Sequence, residues 1–133
     1  MKVVVDTNVF ISAVFFGGTP QKVLQHVVDD NFSLIVTSAI LFEYSASASR
    51  FDSSDDGPSS QLLALIISKS TAVEPVRLLK APCRDPDDIK FLEAAVSAQA
   101  DFIVSGDNDL LVLKEFRGIK IIKISEFLKL LDG

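Results

Sequence analysis

The stretch Lys2-Val3-Val4-Val5-Asp6-Thr7-Asn8-Val9-Phe10-Ile11 decides the fold. Val3-Val4-Val5 is a continuous β-branched run, the pattern of a strand buried on both faces. Beyond Asp6-Thr7-Asn8 the apolar residues change to helical spacing at Phe10, Ile11, Val14 and Phe15. A strand running straight into a helix is the first half of a parallel crossover unit. Gly17-Gly18 stops that helix, and Thr19-Pro20 predicts another, with Thr19 as N-cap and Pro20 at the first helical position. Val23, Leu24, Val27 and Val28 form its apolar face.

The same alternation continues downstream. Leu34-Ile35-Val36 reads as a second strand, and Thr37 or Ser38 caps a helix carrying Ile40, Leu41 and Tyr44. Residues 52–60, rich in serine and aspartate, read as a solvated, mobile loop. A helix follows from Leu62 to Ile67, then a weak strand at Thr71-Ala72-Val73. Asp85-Pro86 opens a helix with Ile89, Leu92 and Val96 on one face. Phe102-Ile103-Val104 is another buried strand. The spacing predicts a short helix from Asn108 to Phe116 ended by Gly118, a strand over Ile119 to Ile124, and a C-terminal helix capped by Ser125. Short strands alternating with helices of about ten residues predict one domain over 1–133, a three-layer α/β/α sandwich on a central parallel sheet of four or five strands.

Composition narrows the chemistry. The chain has 133 residues, 48% hydrophobic and 23% charged, a globular balance. One cysteine, Cys83, excludes an internal disulfide and fits a reducing compartment. One histidine, His26, excludes multi-histidine zinc sites and lies between apolar helical positions, where a structural role is expected. No apolar run is long enough for a membrane span, and the N-terminus lacks the pattern of a secretion signal, so a cytoplasmic protein is expected. Net charge is −5. Residues 1–66 hold three basic residues against seven acidic ones. That charge does not suit a general nucleic-acid coat protein, which neutralises phosphates with Lys and Arg. It suits a site that concentrates carboxylates around a cation. Lys114, Arg117, Lys120 and Lys123 form a loose basic stretch, a solvated face able to contact phosphates.

In open parallel sheets ligands bind beyond the carboxyl ends of the strands. Asp6 follows the first strand, and Ser105-Gly106-Asp107 follows Phe102-Ile103-Val104. If those strands are neighbours, Asp6 and Asp107 share a rim. Glu43 lies about one turn into the helix after the second strand, three residues after Ile40, on the inward face. Asp85, Asp87 and Asp88 surround the start of a later helix whose N-terminus points to the same rim. Each acid also has a local reading: Asp6 as a turn residue, Glu43 as solvated or paired, Asp85 as an N-cap, Asp87 and Asp88 as first-turn helix-dipole partners. Asp107 is readable as a turn or cap residue, and Asp109 as simply exposed. Four acids gathered at one end of one sheet raise one another's pKa unless a cation joins them. Hard oxygen donors suit Mg²⁺ or Mn²⁺, which activates water for phosphodiester attack.

These residues resemble PIN domains, within them the prokaryotic toxin-like group related to VapC ribonucleases. The similarity rests on Val3-Val4-Val5-Asp6-Thr7-Asn8-Val9, on Thr37-Ser38 through Leu41-Phe42-Glu43, on Asp85-Pro86-Asp87-Asp88 leading into Lys90-Phe91-Leu92-Glu93, and on Ala100-Asp101-Phe102-Ile103-Val104-Ser105-Gly106-Asp107-Asn108-Asp109-Leu110-Leu111. The resemblance implies a metal-dependent endoribonuclease cleaving single-stranded or structured RNA. It assigns catalysis and metal binding to Asp6, Glu43, Asp88 and Asp107, with Asp87 or Asp85 as alternatives for the third acid. It places Asn8 and Ser105 beside the metal as supporting polar residues, with Asp109 nearby. Such toxins usually dimerise and are often neutralised by an antitoxin. Ser105 stands where threonine is more usual, keeping the hydroxyl. The serine-rich stretch from Ser45 to Ser60 replaces a longer, more charged helix.

Two rival classes remain at this level. A non-catalytic module on the same fold would hold RNA or a protein; the complete acid set argues against it. A phosphoryl-accepting receiver needs paired acids at the first strand end, and a phosphatase needs Asp-x-Asp, whereas Asp6 is followed by Thr7-Asn8. Neither GxGxxG nor GxxxxGK(S/T) occurs, which disfavours a nucleotide-binding loop.

Overall fold

The computed structural model describes residues 1–51, 58–80 and 82–132. The expected loop at 52–60 falls largely outside them, at 52–57. The valine run forms β1 (Lys2–Val5), with Val3, Val4 and Val5 buried on both faces. Among the described residues five strands run parallel: β1, β2 (Ser33–Val36), β3 (Thr71–Ala72), β4 (Phe102–Val104) and β6 (Ile119–Ile122). A sixth, β5 (Glu115–Phe116), pairs antiparallel with β6, giving the order β3-β2-β1-β4-β6-β5.

That order sets the layers. From β1 the chain steps through α1 (Thr7–Phe15) and α2 (Gly18–Val28) to β2, then through α3 (Ser38–Ala48) and α4 (Pro58–Lys69) to β3. It then jumps back across β2 and β1 through a 3-10 turn (Pro86–Asp88) and α5 (Ile89–Ala98) to reach β4. Right-handed crossovers made in opposite directions place their helices on opposite faces. Accordingly α1 packs on α2 and α3, while α5 packs on β1, β2 and β4. The reversal of direction lies between β1 and β4, where Val5 stands opposite Val104. In such sheets a crevice opens at that point.

The core ties the first helices to the sheet. Phe10 and Tyr44 stack with centroids 3.9 Å apart, and the Tyr44 hydroxyl donates to the Val5 carbonyl at 2.5 Å. Phe127 of α7 (Ile124–Asp132) packs against Phe32 and Phe102. His26 is bonded to Asp132 and Asn31, a structural link between α2 and α7.

Several expected boundaries move; the strand expected over Ile119 to Ile124 ends at Ile122, because Ile124 already belongs to the following helix. The N-cap of α2 is Gly17, not Thr19, because Gly17 and Gly18 both adopt positive φ and turn the chain sharply out of α1. Thr19 and Pro20 then fall in the first turn, where a missing N–H costs no helical bond. The helix expected from Asn108 to Phe116 ends at Leu111 as α6 (Asn108–Leu111). The chain turns into β5, and Arg117-Gly118, both with positive φ, form the two-residue turn of the β5–β6 hairpin. Helix α7 begins at Ile124, so Ser125 lies inside its first turn; the Lys123 carbonyl accepts from Phe127 N–H.

Candidate metal centre

Asp6 leaves β1 at the crevice and caps α1. Its Oδ1 accepts from Val9 N–H at 2.9 Å, and its Oδ2 accepts from the Ser105 hydroxyl and from Gly106 N–H at 3.3 Å. Burial pushes its pKa up, these donors pull it down, and the nearby Asp107 charge raises it again. Three donors leave lone-pair capacity on the carboxylate for a further partner. Ser105, fully buried after β4, also accepts from Asp107 N–H at 2.9 Å. One hydroxyl thereby links the two strand ends. Asp107 caps α6, its Oδ1 accepting from Asp109 N–H at 2.9 Å.

Asp88 closes the 3-10 turn and is only 6% exposed. Its Oδ2 is the one buried side-chain polar atom without a hydrogen-bond partner among the described residues. Its pKa is pushed up to about 7, first by burial, then by a shared hydrogen bond with Asp107 and by the charges of Asp107, Asp85 and Asp109. Oxygens of Asp85, Asp88 and Asp109 lie within 4.8 Å of one another. Asp85 also caps the 3-10 turn, accepting from Asp87 N–H at 3.0 Å.

The other expected residues are placed differently. Asp87 is exposed and lies outside that group; its carbonyl accepts from Lys90 Nζ at 2.6 Å. Glu43 faces inward from α3, but its Oε1 accepts from the Thr7 hydroxyl and its Oε2 pairs with Lys90 Nζ at 2.5 Å. Asn8 is exposed and lines an open cleft with Gly106, Asp107, Asn108 and Asp109. Lys90 and Thr7 were not singled out in the sequence. Lys90 carried one usable signal, being the only cation between Asp85 and Glu93. Thr7 carried none, because its contact to α3 depends on packing. Cys83 has its thiol pKa pushed up, first by burial and then by the Asp88 charge, so it is a poor nucleophile here.

The donor set fits a hard divalent cation. Every clustered donor is a carboxylate oxygen, the Asp88 side chain among them carries a buried oxygen without a partner, and the like charges repel until a cation joins them.

Comparison with known proteins gives a family match, a sequence relative and a likeness of fold. The family model for the PIN domain matches residues 2–109. An uncharacterised protein of Methanocaldococcus jannaschii is 32% identical over 120 residues, spanning 86% of this chain and 76% of that protein. Among solved structures, VapBC2 from Rickettsia felis, bound to a DNA fragment from its promoter, superposes with a TM-score of 0.61. That match covers 92% of this chain and 98% of the other at 14% identity, a likeness of fold.

Proposed function

The chain belongs to the PIN-domain family, and from that premise we propose that it is an Mg²⁺- or Mn²⁺-dependent endoribonuclease, the toxin of a toxin–antitoxin pair. The observation that carries the proposal is the buried Asp88 side chain, whose Oδ2 has no partner and which has an oxygen within 4.8 Å of oxygens from Asp85 and Asp109. Asp6, Glu43, Asp88 and Asp107 are the proposed catalytic and metal-holding residues, with Asp85 and Asp109 completing the acidic shell. A bound ion supplies an acidified water and stabilises the leaving oxygen of the phosphodiester.

The chain's own residues prepare that site. Ser105 fixes the Asp6 carboxylate and, through Asp107 N–H, the start of α6. Burial first, then Asp107 and the neighbouring carboxylates, push the Asp88 pKa up to about 7, so Asp88 would give up its proton on taking up a cation. Lys90 and Thr7 hold the Glu43 carboxylate in place at the rim. No side-chain nucleophile is needed, so no covalent intermediate is proposed.

The VapBC2 likeness supports an antitoxin as partner. So does the exposed Phe16–Phe51 pair, in edge contact at 5.4 Å, an apolar surface of the kind a protein partner covers. Homodimerisation and a cytoplasmic location belong to the same proposal. Among the described residues no helix is long and apolar enough to cross a membrane.

Incubation of the purified protein with RNA tests the activity. Cleavage is expected with Mg²⁺ or Mn²⁺ and none with EDTA. Absence of cleavage together with absence of a Mn²⁺-dependent rise in melting temperature would favour a non-catalytic binding module on the same fold.

A further inference from the structure

An acidic protein that cuts RNA needs a place for the phosphates on either side of the cut. Lys123 is the first residue beyond β6, and β6 lies beside β4 with Ile122 opposite Val104. Ser105 N–H donates to the Ile122 carbonyl at 3.0 Å, so Lys123 emerges at the carboxylate rim about one strand spacing, roughly 5 Å, from Ser105. It is exposed, and among the described residues no acidic side chain pairs with it.

Three surface depressions meet around this residue. The acidic cleft includes Gly106 and Asn108. Its neighbour shares both of those residues and adds Thr19, Ser105, Lys123 and Ser125. A third begins at Lys123 and carries Lys114 and Lys120, three lysines against Glu115 and Glu126. A continuous track therefore runs from the carboxylates past polar side chains to the basic stretch of Lys114, Lys120 and Lys123. Its charge changes sign within a single strand spacing.

We infer that the depression between Ser105 and Lys123 seats a backbone phosphate of the bound single-stranded RNA, with Lys123 as its cation and Thr19, Asn108 and Ser125 as its polar lining. The inference rests on the ribonuclease reading. Lys123 positions the strand and takes no part in the bond cleavage. Lys114 and Lys120 extend the path outward.

The test uses a fluorescein-labelled twelve-nucleotide single-stranded RNA and the full chain with its acidic residues intact, with Ca²⁺ in place of Mg²⁺ so that the strand is held and not cut. Fluorescence anisotropy is followed across salt concentrations in Ca²⁺. Adding Lys123→Ala should weaken binding about fivefold to tenfold and reduce the slope of log K against log salt by about 0.7. Lys123→Arg should stay within about twofold of the parent. So should Lys129→Ala, which removes the same charge from an exposed site on α7. A Lys123→Ala protein that matches Lys129→Ala in affinity and slope overturns this inference and leaves the ribonuclease reading intact. A parent that binds no RNA at all overturns both.

Discussion

Asp88 concentrates the energetic conflict of the site in one side chain. It is buried, one oxygen has no partner, and three carboxylates surround it. The folded state holds its proton more tightly than the unfolded chain does. Its contribution to stability is therefore complete at acid pH and is lost as pH rises from the ordinary 3.8 through about 7. Thermal denaturation without metal should show the melting temperature falling across that window, with a loss on the order of a few kcal/mol by pH 8. Saturating Mn²⁺ should flatten the fall. Asp88→Asn should raise the metal-free melting temperature at pH 8 by several degrees, while abolishing both RNA cleavage and the Mn²⁺-dependent rise. A substitution that stabilises the fold and removes the activity is the signature of a strained functional group. At this scale the acids following strands could be read from sequence, because a strand end fixes where its next residue lies. The choice among Asp85, Asp87 and Asp88 could not. Asp87 faces solvent because a 3-10 turn, with its tighter repeat, leads into α5 and distributes three consecutive first-turn positions to different sides.

At the scale of elements, the strand-to-helix junctions combine capping with the site. Asp6 caps α1, so Asp6→Ala should cost about 1 kcal/mol of stability through the lost Val9 bond, besides eliminating cleavage. Asp6→Asn keeps one oxygen for Val9 N–H but turns its amide NH2 toward the Gly106 N–H, so it should recover only part of the stability lost in Asp6→Ala on urea denaturation, with activity lost. Tyr44→Phe keeps the stack on Phe10 but strips the Val5 carbonyl of its donor, and should cost about 1–3 kcal/mol in the same measurement. The short continuous apolar runs of β1, β2 and β4 were legible because strands buried on both faces lack polar alternation. The hairpin was not. Lys114-Glu115-Phe116 has no alternation to mark β5, and its pairing is imposed by the Arg117-Gly118 turn. The start of α2 was misplaced for a related reason. Thr19-Pro20 matches a local capping rule, but two glycines at positive φ had already set the helix entry. The Glu43–Lys90 pair joins α3 to α5 across the crossover and leaves no trace in local spacing.

For the whole molecule, the topology decides where ligands go. The chain reverses direction between β1 and β4, and both strand ends there carry acids joined through Ser105. A ligand that binds only the folded chain stabilises it by mass action, so Mn²⁺ at about one hundred times its dissociation constant should add roughly 2.7 kcal/mol. Differential scanning calorimetry with and without Mn²⁺ checks this, and EDTA should reverse it. The two ends of the strand order carry a separate consequence. Both outermost strands, β3 and β5, are two residues long. A margin that brief offers too few free backbone groups to recruit a strand from another molecule. Copies of this chain should therefore meet through helical faces, and fibril growth by edge-to-edge addition is disfavoured from either side.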